Sequence, residues 1–269
     1  MTDQSVADRA EGTGPPPDYP PPLSVVNQTA PVPRRIRAVL NGRVVVDTTS
    51  ALYLWEWERY PQYYIPMADI DPEALVEEQR DLRLSRGKAK RYGLTVGSVA
   101  RPGALRVYAE DAAYGVAGHA RFEWDAVDAW FEEEEQVFIH PRDPYTRVDA
   151  IRSTRPVRVE LDGIVLAESS SPVMVFETGL PTRYYLNRTE VDFSHLVPTT
   201  TVTGCPYKGM TSGYWTAKIG DATYVDIAWT YDFPTRQLFP IAGLIAFYNE
   251  KVDHVLDGTR LERPVTHFS

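Results

Sequence analysis

Ile36-Arg37-Ala38-Val39-Leu40-Asn41-Gly42-Arg43-Val44-Val45-Val46 is the stretch that decides the fold. Two apolar runs flank an Asn-Gly pair, which accepts the positive φ angles of a type I′ turn. That turn has the twist of two paired strands, so the stretch predicts a two-residue β-hairpin. The same build returns 121 residues later as Val157-Arg158-Val159-Glu160-Leu161, Asp162-Gly163 and Ile164-Val165-Leu166-Ala167. Laying Ile36 to Leu75 over Val157 to Leu196 needs no gap and gives ten identities in forty positions. Gly42/Gly163, Glu56/Glu177, Tyr63/Tyr184, Tyr64/Tyr185 and Asp71/Asp192 are among them. This is a tandem duplication, and two copies are too few for a stacked solenoid.

Working outward, strands are expected at Leu52 to Trp55 and Gln62 to Ile65. The copies meet again near their ends, where Ala117-Gly118-His119-Ala120-Arg121-Phe122 matches Ala242-Gly243-Leu244-Ile245-Ala246-Phe247. Sixteen Tyr and six Trp, with many Val and Thr, lean toward strands. The predicted class is mainly β: two tandem antiparallel domains with few short helices, after a disordered Pro-rich tail. The expected boundaries are 1–33 for the tail, 34–129 for the first domain and 130–152 for a connector. The second domain then takes 153–260, and 261–269 form a C-terminal tail. Gly14-Pro15-Pro16-Pro17 and Pro20-Pro21-Pro22 suit a flexible extended segment, with a proline-rich recognition segment as the other reading. The charged segment Glu77 to Arg91 is read as a solvated loop in preference to a short helix. In the connector, Glu132 to Glu135 should repel one another and stay in water, with a cation site as the less favoured reading, and Val137 to Ile139 should form a strand.

A 269-residue chain with 43% hydrophobic and 24% charged residues is an ordinary soluble composition. Its net charge of −9 opposes non-specific binding to nucleic acid, which needs a basic footprint. No apolar run approaches the roughly 20 residues of a membrane span. No basic-then-apolar leader opens the chain, so the expected location is the cytoplasm, with neither nucleic acid nor membrane as partner. One cysteine forms no internal disulfide and no multi-cysteine zinc site, and the five histidines lack ligand spacing. No metal and no cofactor is expected; the oligomeric state is open.

Chemistry concentrates in Thr203-Gly204-Cys205-Pro206-Tyr207-Lys208-Gly209, followed by Tyr214-Trp215. Cys205 should lie in a tight loop. Lys208, three residues on, favours a thiolate nucleophile there, while a buried cysteine packing as a small hydrophobe is the commoner role. Lys208 itself reads equally as an anchor for a polar ligand or as an exposed loop lysine. The first copy keeps Gly87-Lys88-Ala89-Lys90-Arg91-Tyr92 in the companion place, without a cysteine, which makes it a degenerate partner if Cys205 matters. Glu177 ends an apolar run and is costly to bury unless paired, so it is a candidate acid/base or ligand anchor, or else a strand-edge charge or the partner of a structural arginine. Tyr184 and Tyr185 point to opposite faces of a strand, so at most one of them faces a given pocket. Tyr207, Tyr214, Trp215, Trp229 and Phe247 would line an aromatic recess if their strands adjoin, although such rings in a small β-domain are more often core. In His140-Pro141-Arg142-Asp143-Pro144-Tyr145, His140 and Arg142 are further ligand candidates. The plainer reading there is an ordered connector with an Arg–Asp pair.

Taken together, Phe176 to Tyr185, Cys205 to Gly209, Tyr214-Trp215, Ala228-Trp229-Thr230-Tyr231 and Ile241-Ala242-Gly243 resemble the domain of unknown function 427 family. The connector with His140 to Tyr145 is similar to that of its double-domain bacterial members. The resemblance covers about Arg34 to Gly258. It implies a compact antiparallel fold of the β-tent type, similar to Mss4-like and cereblon ligand-binding domains. Several such relatives hold zinc through clustered cysteines, which this chain lacks. The family is sometimes labelled nucleotidyltransferase-like, and this chain shows no glycine-serine plus paired-aspartate pattern to match. The resemblance implies a fold and site residues but no reaction. The functional expectation is binding of a small polar molecule, planar and cationic ligands included, in an aromatic pocket of the second domain. The alternatives are an enzyme using Cys205 as nucleophile or Glu177 as acid/base, and an interaction scaffold.

Overall fold

Both Gly turns fold as their chemistry demands. Asn41 and Gly42 take φ of 48° and 75°, and Asp162 and Gly163 take 50° and 78°. The structure, a computed structural model, describes residues 24–266 and 268–269. The prolines of Gly14 to Pro22 lie outside the described residues.

The chain divides into two units, one made of the described part of Pro22–Thr146 together with Gly204–Gly209, the other of Arg147–Thr203 and Met210–Ser269. In the first unit the strands are β1 (Thr29–Pro31), β2 (Ile36–Leu40), β3 (Arg43–Thr48), β4 (Leu52–Leu54), β5 (Gln62–Pro66) and β6 (Leu75–Leu84). They continue as β7 (Gly87–Val96), β8 (Val99–Tyr108), β9 (His119–Phe122), β10 (Ala129–Glu132) and β11 (Glu135–Val137). They build a seven-stranded sheet, β1-β4-β5-β9-β8-β7-β6, and a four-stranded sheet, β11-β10-β2-β3. The later strands are β12 (Val148–Arg152), β13 (Val157–Leu161), β14 (Ile164–Ser169), β15 (Val173–Glu177), β16 (Arg183–Leu186) and β17 (Leu196–Thr199). After them come β18 (Gly204–Cys205), β19 (Gly209–Met210), β20 (Gly213–Ile219), β21 (Ala222–Thr230), β22 (Ile245–Phe247), β23 (Asp253–Leu256) and β24 (Thr259–Arg260). The second unit repeats the plan as β12-β15-β16-β22-β21-β20-β17 and β14-β13-β23-β24.

The duplication holds at the level of single hydrogen bonds. A bulge interrupts β2–β3 between Ala38 and Val39, and another interrupts β13–β14 between Val159 and Glu160, the positions 121 residues on. An isolated bridge joins Val46 to Ile70, and its copy joins Ala167 to Val191. In each unit every second residue of the first hairpin strand turns inward. Ile36, Ala38 and Leu40 meet Tyr53, Ile65, Leu105 and Phe122 of the larger sheet. Val157, Val159 and Leu161 likewise meet Tyr184, Leu186 and Phe247. The small sheet thus covers one face of the large one, with the core between them.

Four expectations are corrected. The segment Glu77 to Arg91 is neither loop nor helix: it lies in the long hairpin β6–β7, with charged residues on both strands that hide the period of two. The acidic run is not wholly in water, because Glu132 is buried in β10, accepts the Tyr63 hydroxyl at 2.6 Å and pairs with Arg34. The last residues of the expected tail are ordered, since Thr29–Pro31 pairs with Leu52–Leu54 as the edge of the large sheet. The expected strand over Val137 to Ile139 keeps only its first residue, and Ile139 instead takes φ of 71°.

Candidate functional site

Gly204–Cys205 and Gly209–Met210 form a two-stranded ribbon that frames Pro206, Tyr207 and Lys208. Gly209 sits at φ 98°, a conformation that needs the absence of a Cβ. Within the first unit the tip of this loop is held by the connector. Arg142 Nε donates to the Pro206 carbonyl at 2.9 Å, and the Asp143 backbone N–H donates to the Tyr207 hydroxyl at 2.8 Å. Two motifs 64 residues apart are therefore one structure.

The connector is ordered, but not by the expected Arg–Asp pair. Arg142 meets Glu135 at 3.2 Å. The Asp143 carboxylate, 3% exposed, instead accepts Trp55 Nε1 at 3.1 Å and the Tyr145 N–H at 2.8 Å. Burial pushes its pKa up, against the hydrogen bonds from Tyr145 and Trp55. The Tyr145 ring stacks on Trp55 at 5.5 Å, which closes this hub. His140 stacks on Tyr60, with centroids 3.5 Å apart and planes 9° off parallel.

Lys208 is 7% exposed, and its Nζ lies 3.8 Å from the Sγ of Cys205, which is half-buried and in no disulfide. Spacing of three residues across a tight turn brings the two heads to one side of the loop. An ammonium in this position can anchor an acceptor group on a ligand as a point charge. It can also favour a thiolate, since cationic neighbours activate thiols.

The remaining candidates belong to the second unit, where the strand pleat sorts them onto two faces. Tyr184, Trp215 and Phe247 lie in the core between the sheets. Tyr185, Tyr214 and Trp229 gather on the opposite face of the large sheet with Tyr231, Leu238 and Ile241. Trp229 Nε1 donates to the Tyr185 hydroxyl at 3.2 Å, and the Tyr214 hydroxyl lies 3.1 Å from that of Tyr248 and 2.8 Å from Thr203 Oγ1. The rings enclose a cation that the chain itself supplies. The Arg183 guanidinium carbon sits 5.9 Å from the Trp229 ring centre, 5.6 Å from Tyr248 and 5.7 Å from Phe268. Glu250 neutralises it through bonds of 2.6 and 2.7 Å, and Asn249 adds a third at 2.9 Å. Glu177 is buried at the end of β15, opposite Val148 of β12.

Sequence reasoning missed Trp55 and Asp143 as a hub and Arg183 as the occupant of the ring cluster. One signal was present: an arginine opening the otherwise apolar and aromatic strand Arg183-Tyr184-Tyr185-Leu186, all four buried. Among the described residues no group of three or more His, Cys, Asp or Glu is placed to hold a metal ion, and no helix is long and apolar enough to cross a membrane.

A family model described as a domain of unknown function (DUF427) matches residues 28–133 and, a second time, 149–258. No curated protein matches the chain.

Proposed function

We propose, for a chain that belongs to the DUF427 family and carries that domain twice, a role in binding a small polar molecule at the Gly204–Gly209 loop. Lys208 carries this reading. Its ammonium is almost wholly removed from water and points at Cys205 across 3.8 Å, in a loop pinned at Pro206 and Tyr207. Ionisable side chains buried beside a reactive group concentrate at functional sites, although structural pairs bury them too. Lys208 would anchor an acceptor on the ligand and Cys205 would line the contact, while Tyr207, Arg142 and Asp143 hold the loop in shape. The ring cluster around Tyr185 and Trp229 supports ligand binding less well, because Arg183 already fills it. We take each copy as a β-tent-type domain, a reading supported by the pairing of a seven-stranded sheet with a four-stranded one.

Native mass spectrometry of freshly purified protein tests the binding role. A retained small molecule that Lys208→Ala loses, in a variant that near-UV circular dichroism shows to be folded, is the expected result. No retained molecule, together with no stabilisation by a metabolite mixture in the unmodified chain, would overturn it, because a ligand of the native state must raise stability by mass action.

The same proximity serves a second reading in which Cys205 is a nucleophile toward nucleotide-like or amide-like substrates. Rapid alkylation of the folded protein by iodoacetamide is expected of it. Labelling that waits for denaturant rejects the nucleophile and leaves binding standing.

A further inference from the structure

The first unit contains a cavity of about 460 Å3 that none of the motifs above predicts. Its volume falls within the roughly 300–1,000 Å3 of small-molecule sites. β5 contributes Gln62, β8 contributes Arg101, and β9 with the residues after it contributes Arg121, Glu123 and Trp124; His140 comes from the connector. The ring walls are fixed from behind. Tyr60 and His140 form one stacked pair, and Trp57 meets Tyr60 edge-on at 4.6 Å. Trp124 stacks at 5.4 Å on Trp130, which is itself buried in the core. Walls held this way lose little freedom when a ring slides between or against them.

The charges of the lining balance. Arg121 donates to Glu123 at 2.8 Å, Glu123 also takes Arg106 at 2.9 Å, and the two arginines reach Glu56 at 3.6 and 3.3 Å, so two cations face two anions. Arg101 is 42% exposed in its side chain, and its ion pair with Asp128 is long, at 3.7 Å. Asp125 stands on the same rim as an exposed acceptor. A cation and an anion would each meet as much repulsion as attraction there. A neutral ring with both donors and acceptors would not.

Two further facts point to a site. Ile139, on the cavity wall, holds φ of 71°, a left-handed conformation that a β-branched residue adopts only under constraint. Strain of this kind gathers at ligand-contacting segments. The arginines at this cavity are also particular to the first copy. Arg121 pairs with Tyr64 and Arg106 across the sheet, whereas Ala246 and Trp229 stand at the matching places of the second.

We propose that this cavity binds an uncharged planar ring compound bearing hydrogen-bond donors and acceptors. The ring would lie against the Tyr60–His140 pair and Trp124, and Gln62, Arg101 and Glu123 would read its edge. The first copy is then a binding domain in its own right and not a degenerate partner of the second.

Titration of the full chain with adenine and uracil as neutral rings, benzoate as an anion and benzylamine as a cation tests this. Tryptophan fluorescence and saturation-transfer NMR report binding. The expected result is saturable binding of a neutral ring, weakened about tenfold or more in His140→Ala and in Gln62→Ala, since stacking and edge contacts are each of that order. Near-UV circular dichroism confirms that each variant is folded, and two variants on different elements guard against a local collapse. Binding of neither neutral ring, binding unchanged in both variants, or equal or tighter binding of benzoate or benzylamine would overturn the proposal. Cys205 and Lys208 are intact throughout, so a negative result here leaves the loop site untouched.

Discussion

Lowering the pH from 7 to 5 should weaken the second unit by about 2 kcal/mol through one imidazole. His254 lies in β23 opposite Val159, 2% exposed, with its ring 5.3 Å from that of Tyr184. In the first unit Trp130 occupies the corresponding place, opposite Ala38 and against Tyr63. A histidine has therefore been fitted where the other copy keeps an indole. Among the described residues neither of its ring nitrogens makes a hydrogen bond of good geometry, the Val252 backbone offering only a weak contact. Burial, and then the Arg183 charge, lower its pKa from 6.5 to about 4, while the Val252 backbone, Glu250 and Asp253 pull weakly the other way. The folded value lies below the unfolded one, so the unfolded chain takes the proton more readily. Stability from this group is intact above pH 6.5, falls as the pH drops below that value, and stops falling near pH 4. The full gap is worth about 3 kcal/mol, and about 2 kcal/mol of it lies between pH 7 and pH 5. Urea unfolding at several pH values, for the native chain and for His254→Phe, isolates the effect as a double difference in which other titrating groups cancel. The expected variant is within about 1 kcal/mol of the native chain at pH 7, because it removes two unsatisfied nitrogens, and it is the more stable protein at pH 5. Stability curves that run parallel between pH 7 and pH 5 would refute the reasoning.

Other consequences are local. Glu250→Ala should cost about 3–5 kcal/mol, because the Arg183 side chain, 6% exposed, would be left charged and unpaired; thermal unfolding reads this directly. Gly42→Ala and Gly163→Ala should cost about 1 kcal/mol each and nearly the same as one another: both sit at positive φ with no atom within 4 Å of the added Cβ, so backbone conformation is the whole penalty. Trp55→Phe should cost about 1–3 kcal/mol, because the buried Asp143 loses the indole donor; the same variant should raise the mobility of the Gly204–Gly209 loop, seen as faster amide exchange at Tyr207 and Lys208.

The hairpins and the duplication were legible because their causes are local. An Asn-Gly or Asp-Gly pair between apolar runs leaves the backbone one good turn, and a repeat at constant spacing copies bulges and bridges along with residues. The long hairpin β6–β7 was hidden because Glu77, Glu78, Arg80 and Asp81 put charge on both faces and a register shift between Glu77 and Asp81 breaks the alternation. The Cys205–Lys208 contact follows from a spacing of three. Its anchoring does not, since Arg142 and Asp143 arrive from 64 residues away.

The amino-acid order by itself determined that this is a doubled, mainly β protein, where its paired turns fall, and which loop holds the thiol and the amine. Only the tertiary structure decided which rings face which side of a sheet, that Arg183 occupies the aromatic cluster, that His254 replaces Trp130, and that a charge-balanced cavity opens beside His140. The division has a physical basis. Turn chemistry and strand period act over a few neighbouring residues. Burial, ion pairing and the shape of a hollow depend on partners that meet only after distant strands have paired.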